Sequence, residues 1–394
     1  MWSAYGGFTL DAMGVQLYAF ILPTLLGLWG LSGSRASTLA AAALLAGAVG
    51  GWAAGSLSDR IGRVRILRVT IAWLAVSTAF CGLANSYNEF LIARIIQGVG
   101  FGAEWAVGAV FLGEVAAPAA RGRTIGAVQS AWATGWLFAA ATTSLALWLL
   151  PANLGWRAVF FIGLLPAIWI FCLRMRLHEA VDHGRSARVA SWHGIFARPM
   201  IGRTVRGTLL ATGTHGGYWA LATWWPAMLR IERKMSLGQS TVYFAALVGG
   251  SFVGYYLSGW VSDRYGRRVT LATFASGGVA TVLATTLLPL SPVAFLILSA
   301  CLGLFALGIY SSVGAVLIEL FPRQLSGSGL GFCYNLGRGL AGVGPLAVGS
   351  SIGSMGIAHS IGLYVTVAYA LVLLATVLLP ETRGSELGTM AAPG

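Results

Sequence analysis

GSLSDRIGRVR, from Gly55 to Arg65, returns as GWVSDRYGRR from Gly259 to Arg268, setting Asp59 and Asp263 204 positions apart. Each copy is a short basic loop, punctuated by glycine, between two long apolar runs. A second feature keeps nearly the same interval: Glu114 closes one apolar run and Glu319 closes another 205 positions on. Two unrelated features at one offset indicate a duplicated unit. Apolar runs of about 20 residues recur from residues 4 to 28 through to 358 to 379, twelve in all, each long enough to cross a hydrocarbon core about 30 Å thick. Only 9% of the 394 residues are charged and 57% are hydrophobic, whereas a soluble protein carries roughly 25% charged residues. Mean hydropathy is +0.77. The chain reads as an all-α integral membrane protein of twelve transmembrane helices in two pseudo-symmetric six-helix halves.

The formal charge of +13 would suit a nucleic-acid binder, but the positions of the arginines argue otherwise. They collect at alternate loops: Arg60, Arg63, Arg65 and Arg68; Arg121 and Arg123; the long middle loop; Arg264, Arg267 and Arg268; then Arg323 and Arg383. Such alternation is the positive-inside signal and places both termini in the cytoplasm. A nucleic-acid footprint would instead be contiguous on one folded face. The expected division is an N-terminal bundle over 1–174, a basic cytoplasmic linker over 175–204, a C-terminal bundle over 205–380 and a short tail over 381–394. The first run contains Asp11 and lacks a basic n-region, so it reads as the first crossing rather than a removed signal.

Several chemistries are disfavoured. Cys81, Cys172, Cys301 and Cys333 lie far apart in apolar runs, with neither disulfide nor zinc spacing, and no cofactor or metal is expected. Gly98, Gly100 and Ala103 match G-x-G-x-x-[GA], and Gly349, Ser351 and Gly353 match G-x-S-x-G, but neither has the strand-turn-helix setting those motifs require. No G-x-x-x-x-G-K-[ST] is present, which disfavours direct ATP coupling. The chain reads as a transporter rather than an enzyme.

The doubled G-x-x-x-D-R-x-G-R loop, after the second and eighth runs, resembles the signature of the major facilitator superfamily, and the resemblance extends over essentially the whole chain. Further segments, LDAMGVQLY, GFGAEWAVGAVFLGE, GWRAVFFIGLLPA and YNLGR, resemble the metabolite:proton symporter branch that imports aromatic acids, sialate or monocarboxylates. The resemblance implies parallel halves rocking about a site near the bilayer midplane. It implies gating at Asp59, Arg60, Arg63, Asp263, Arg264 and Arg267, and conformational coupling at Glu114, Arg121 and Glu319. Relatives often carry a second acid three residues after Asp11, where this chain has Gly14. PETRG at Pro380 to Gly384 resembles the ending of sugar porters.

Ionisable groups inside spans are costly and mark pathways. Asp11 lies mid-span in the first helix, where a dry setting favours its proton-bound form, and is the expected proton site; the competing reading is a structural pair with an arginine. Glu104, near the midplane of the fourth run, must protonate, pair or face water. Arg94, with Gln97 and Gly98, resembles the family's second motif, which implies proton transfer or anion binding; snorkelling to the interface is the alternative. Arg338, central in the eleventh run, shares a helical turn with Tyr334 and Asn335 and is expected to meet an anion. His215 is a candidate second proton carrier or a packing residue. Trp219, and Gln129 with Trp132 and Trp136 at i, i+3, i+7, can stack an organic body or pack helices. Glycines at four-residue spacing, Gly47, Gly51 and Gly55, and Gly98 with Gly102, allow close helix approach.

The expected protein is a monomeric, multi-pass importer of a small organic anion with protons in the bilayer, in a bacterium the cytoplasmic membrane. The alternatives are a proton-coupled exporter of amphipathic compounds and a sugar-type porter.

Overall fold

The computed structural model describes residues 2–61, 63–115, 121–164, 192–322 and 325–382. The described residues are all helical, with no strand. In the first repeat the helices are α1 (Trp2–Trp29), α2 (Gly33–Ile61), α3 (Arg63–Leu83), α4 (Tyr87–Val115), α5 (Arg121–Leu149) and α6 (Ala152–Ile162). The second contains α7 (Arg198–Ala227), α8 (Leu237–Tyr265), α9 (Arg267–Leu287), α10 (Pro292–Glu319), α11 (Ser326–Leu340) and α12 (Val343–Leu378). Six helical stretches among the described residues are long and apolar enough to cross a membrane. The last of them, Ser328–Leu378, spans 51 residues, enough for about two crossings at 1.5 Å per residue. Its fold-back falls at Gly356, where φ is +79°, a backbone state that a Cβ disfavours.

Local signals explain the helix starts. Ser236 and Gln239 form a capping box ahead of α8, each side chain bonding the other's backbone N–H. Ser291 caps α10, with Pro292 in its first turn, where a missing N–H costs nothing. The middle of α4 is unbroken helix through Gly98, Gly100 and Gly102, so the dinucleotide-like match is chance. α7 is rich in glycine, threonine and tryptophan, yet every residue from Gly213 to Leu229 is buried. Protein, not lipid, surrounds that stretch, so it need not be strongly apolar.

The internal repeat extends to individual contacts. A Cβ on Gly98 would strike the carbonyl of Ala43, and one on Gly303 that of Leu247. A Cβ on Gly50 would strike the Val99 carbonyl, and one on Gly254 that of Leu304. Ala43 to Leu247 and Gly50 to Gly254 are 204 positions, while Gly98 to Gly303 and Val99 to Leu304 are 205, the offsets of the two sequence features. The same pair of helices therefore packs backbone to backbone in each repeat.

Between the repeats, contacts run from the centre of the bundle to the end remote from the Asp59 and Asp263 loops. Phe20 meets Phe244 edge-on with centroids 4.5 Å apart, and the Ser144 and Thr241 hydroxyls are 3.0 Å apart. Gly33 and Gly349 approach so closely that neither admits a Cβ. The remote end is closed.

Gly98→Val would force α2 and α4 apart, at about 1–3 kcal/mol for overpacking. Thermal unfolding of the purified protein should show a Tm roughly 3–10 °C lower. Gly249→Ala, with nothing within 4 Å of the added carbon, should leave Tm unchanged or raise it. Equal Tm for Gly98→Val and the parent would disprove the contact.

Candidate functional site

Arg338 is the second repeat's most deeply committed charge. It is 2% exposed and lies where α11 crosses α2. One terminal nitrogen donates to Asn335 Oδ1 at 2.5 Å and to the Gly47 carbonyl of α2 at 3.3 Å. The guanidinium sits 4.6 Å from the centroid of the Phe101 ring and 5.9 Å from that of Tyr334, distances at which a cation is attracted to a π face. Asp11, fully buried on α1, is within electrostatic reach of both Arg338 and Tyr334. A cation of one repeat is thus held by a carbonyl and a ring of the other.

Beside Arg338 is a small cavity. Its walls are mainly aromatic, with Phe8, Phe101, Trp132 and Trp219 among them, and Gln129 and His215 interrupt them. His215 Nδ1 is 2.9 Å from the Tyr310 hydroxyl, and its ring meets Tyr334 edge-on at 4.5 Å. Trp132 and Trp136 both donate their indole N–H to the Tyr218 hydroxyl. Trp136 then stacks on Phe244 at 4.9 Å and takes no part in the cavity wall. Arg338 Nε, His215 Nε2, Gln129 Oε1 and Trp219 Nε1 are buried without a hydrogen-bond partner. Such atoms are costly to leave unmet, and here they belong to residues lining one space: two donors, Arg338 Nε and Trp219 Nε1, the acceptor Gln129 Oε1, and His215 Nε2, which serves as either.

The residues singled out in the sequence fall into distinct places. Asp11, Gln129, Trp132, His215, Trp219, Tyr334 and Arg338 gather at or beside this cavity. Asn335 turns towards α2, its Nδ2 donating to the Gly331 carbonyl while its Oδ1 accepts from Arg338, so it orients the arginine rather than lining the space. Arg94 is buried but lines a separate recess. Helical backbone passes through Asp59, Arg60, Arg63, Glu104, Glu114 and Arg121, whose side chains lie outside the described residues; so does most of the linker.

At the second loop, Gly266 has φ +102°, which favours glycine, and the turn opens α9. Arg267 bonds Asp263 at 2.8 Å and holds Glu319 with two bonds, at 2.8 and 3.1 Å. The Glu381 carboxylate accepts the backbone N–H of Arg267 at 2.8 Å and of Arg268 at 3.1 Å, capping the positive end of α9. Thr382 donates to Glu319 at 2.6 Å. Arg264 stays outside the cluster, over the rings of Trp260 and Tyr265. Sequence reasoning had Asp263, Arg267 and Glu319 but gave Glu381 and Thr382 no role, although both lie in the PETRG segment.

These features define a membrane transporter, and comparison with known proteins gives the family. The Major Facilitator Superfamily model matches residues 4–345, and the chain belongs to that family. The "Probable 4-methylmuconolactone transporter" of Cupriavidus pinatubonensis is 36% identical, covering 97% of this chain and 90% of that protein. The "Cis,cis-muconate transport protein" of Acinetobacter baylyi is 28% identical over 90% of this chain and 88% of its own. Relatives of this kind match the metabolite:proton symporter branch. Among solved structures, the proton:xylose symporter XylE superposes with a TM-score of 0.76 at 17% identity, covering 98% of this chain and 96% of the other. That likeness shows the shared fold.

Phe8, Phe101, Tyr218, Tyr255 and Tyr310 were missed as wall residues, because single aromatics on apolar helices carry no periodic signal. Tyr218 is the structural one. Tyr218→Phe removes the acceptor of two buried indoles, leaving each N–H unmet at about 1–3 kcal/mol. A lowered Tm and a changed tryptophan emission are expected, and a variant identical to the parent in both would refute the shared acceptor.

Proposed function

We propose that this protein is a secondary active transporter that imports a small organic anion by proton symport through alternating access. It crosses the bacterial cytoplasmic membrane twelve times, with both termini in the cytoplasm. The observation that carries the reading is Arg338, buried where the repeats cross, within electrostatic reach of Asp11 and beside an aromatic cavity with unmet polar atoms. A cation in a dry site, met only by neutral hydrogen-bond partners and rings at contact distance, favours an anion. The names of the relatives, which transport muconolactone and muconate, support a carboxylate-bearing substrate.

In this reading Arg338 binds the carboxylate, while Trp132, Trp219 and Tyr334 enclose the body and Gln129 orients it. Asp11 and Glu104 carry protons, with His215 as a further carrier. When Asp11 is ionised it competes with the substrate for Arg338. Protonation of Asp11 releases the arginine, so proton and anion load together and neutralise the site before it moves through the bilayer. This coupling follows from charge balance: an ionised Asp11 and a bound carboxylate would leave one negative charge in excess at Arg338. The Asp263, Arg267, Glu319 and Glu381 cluster, with Asp59, Arg60, Arg63, Arg264, Glu114 and Arg121, forms the cytoplasmic gate. Closure of the end remote from that gate corresponds to a conformer shut towards the outside.

Proteoliposomes with an inward proton gradient test the proton role. Asp11→Asn should retain exchange of labelled substrate but lose concentrative uptake; equal accumulation by variant and parent would sink the role of Asp11. Arg338→Lys keeps the charge but loses the planar fork, and is expected to lower carboxylate affinity about tenfold or more. Unaltered affinity in binding titrations would remove Arg338 from the substrate site. Efflux instead of uptake in cells expressing the protein would favour the exporter.

A further inference from the structure

Two indoles of the first repeat, Trp132 and Trp136 on α5, donate to one oxygen of the second, the Tyr218 hydroxyl on α7, the Trp136 bond at 2.8 Å. An indole N–H can only donate, so the direction of both bonds is certain without sight of a hydrogen. Both acceptor positions of the phenol oxygen are then filled, and its own hydrogen must point elsewhere. Tyr218 is 3% exposed, and no protein acceptor meets that hydrogen among the described residues. The residue lines the cavity beside Arg338, which is the space left for it.

Packing alone does not account for the arrangement. Trp136 is already fixed without this bond, being 1% exposed and stacked on Phe244 at 4.9 Å and 18°. A buried tyrosine in a purely structural role gives its hydrogen to a backbone carbonyl, as Tyr18 does to Ala36 and Tyr369 to Ala306. Tyr218 has no such carbonyl. Each N–H entering its oxygen draws charge from it and makes its O–H a stronger donor. That donor and Arg338 Nε, also unpartnered, belong to the walls of one small cavity, where a carboxylate has an oxygen for each.

We propose that Tyr218 donates to the carboxylate bound on Arg338, and that Trp136, which takes no part in the cavity wall, is a positioning residue that aims and strengthens this donor from the seam between the repeats. The inference rests on the organic-anion reading above and adds that contact between the repeats sets the cavity's affinity. The indole bonds exist only while α5 and α7 are in contact, so anion binding and closure of that seam favour each other.

Isothermal titration of the purified full-length protein with benzoate and with cyclohexanecarboxylate tests it. Trp136→Phe keeps a ring on Phe244 and removes the N–H, and should weaken both acids about threefold. Tyr218→Phe should weaken them about tenfold, and adding Trp136→Phe to it should cause no further loss. Tyr218→3-fluorotyrosine makes the phenol a stronger donor and a weaker acceptor. It should tighten binding about twofold, whereas a hydroxyl that only accepts would give equal or weaker binding; this variant decides the matter if Tyr218→Phe is not monodisperse. Parental affinity in Trp136→Phe, an equal loss from Trp136→Phe in both backgrounds, or unchanged or weaker binding by the fluorotyrosine protein overturns the donor role and leaves the organic-anion reading standing. Failure of the parent to bind either acid overturns that reading and the donor role with it.

Discussion

A guanidinium buried where two helical repeats cross sets the terms for the rest of this structure. Arg338 cannot reach water, so its surroundings must meet its charge, and they come from both repeats: the Gly47 carbonyl of α2, the ring of Phe101, the field of Asp11, and Asn335 from its own helix. None of these is a tight, fully desolvated ion pair of the kind that would lock the two repeats together. A charge satisfied by dispersed partners can exchange them for a ligand's carboxylate at modest cost.

The packing around that crossing differs within and between the repeats. α2 meets α4, and α8 meets α10, through glycines set against backbone carbonyls. Within each repeat these pairs are tight, backbone against backbone. Between the repeats the contacts include aromatic pairs, the indole bonds of Trp132 and Trp136 to Tyr218, the Arg338–Gly47 bond, one hydroxyl pair and the Gly33–Gly349 approach. Rigid units joined by a softer interface are what rocking about a central site requires. The Arg267 cluster adds a charged cap on α9 drawn from α8, α10 and the chain after α12, so a shift of α10 or of the tail is felt at the loop.

Legibility was uneven for physical reasons. The repeat was readable because loops of fixed chemistry recur at a fixed offset, and that offset reappears in the contacts of Gly98 and Gly303. Arg338 and Asp11 stood out because charge in an apolar run is costly wherever the helix turns out to lie. Asn335 shares a turn with Arg338, yet it faces α2, because a helical turn spans more than one neighbour. Trp136 continued the stripe of Gln129 and Trp132, but Tyr218 and Phe244 draw it away. Tyr218, Tyr255 and Tyr310 could not be found in advance, since a tyrosine on an apolar helix looks the same whether its hydroxyl lines a cavity or a seam.

By itself, the sequence determined what is a matter of cost and repetition: helices long and apolar enough to cross a bilayer, a duplicated architecture, basic residues gathered in alternate loops, and a short inventory of charges that lipid would not tolerate. Those follow from composition and spacing because each residue pays its transfer cost independently of its neighbours. Only the tertiary structure decided which charges share a space. It put Asp11 within electrostatic reach of Arg338 and Arg94 in a separate recess, because that division depends on the rotation of α1, α4, α7 and α11 about their axes. Rotation is fixed by packing between helices far apart in the chain, and no local pattern encodes it.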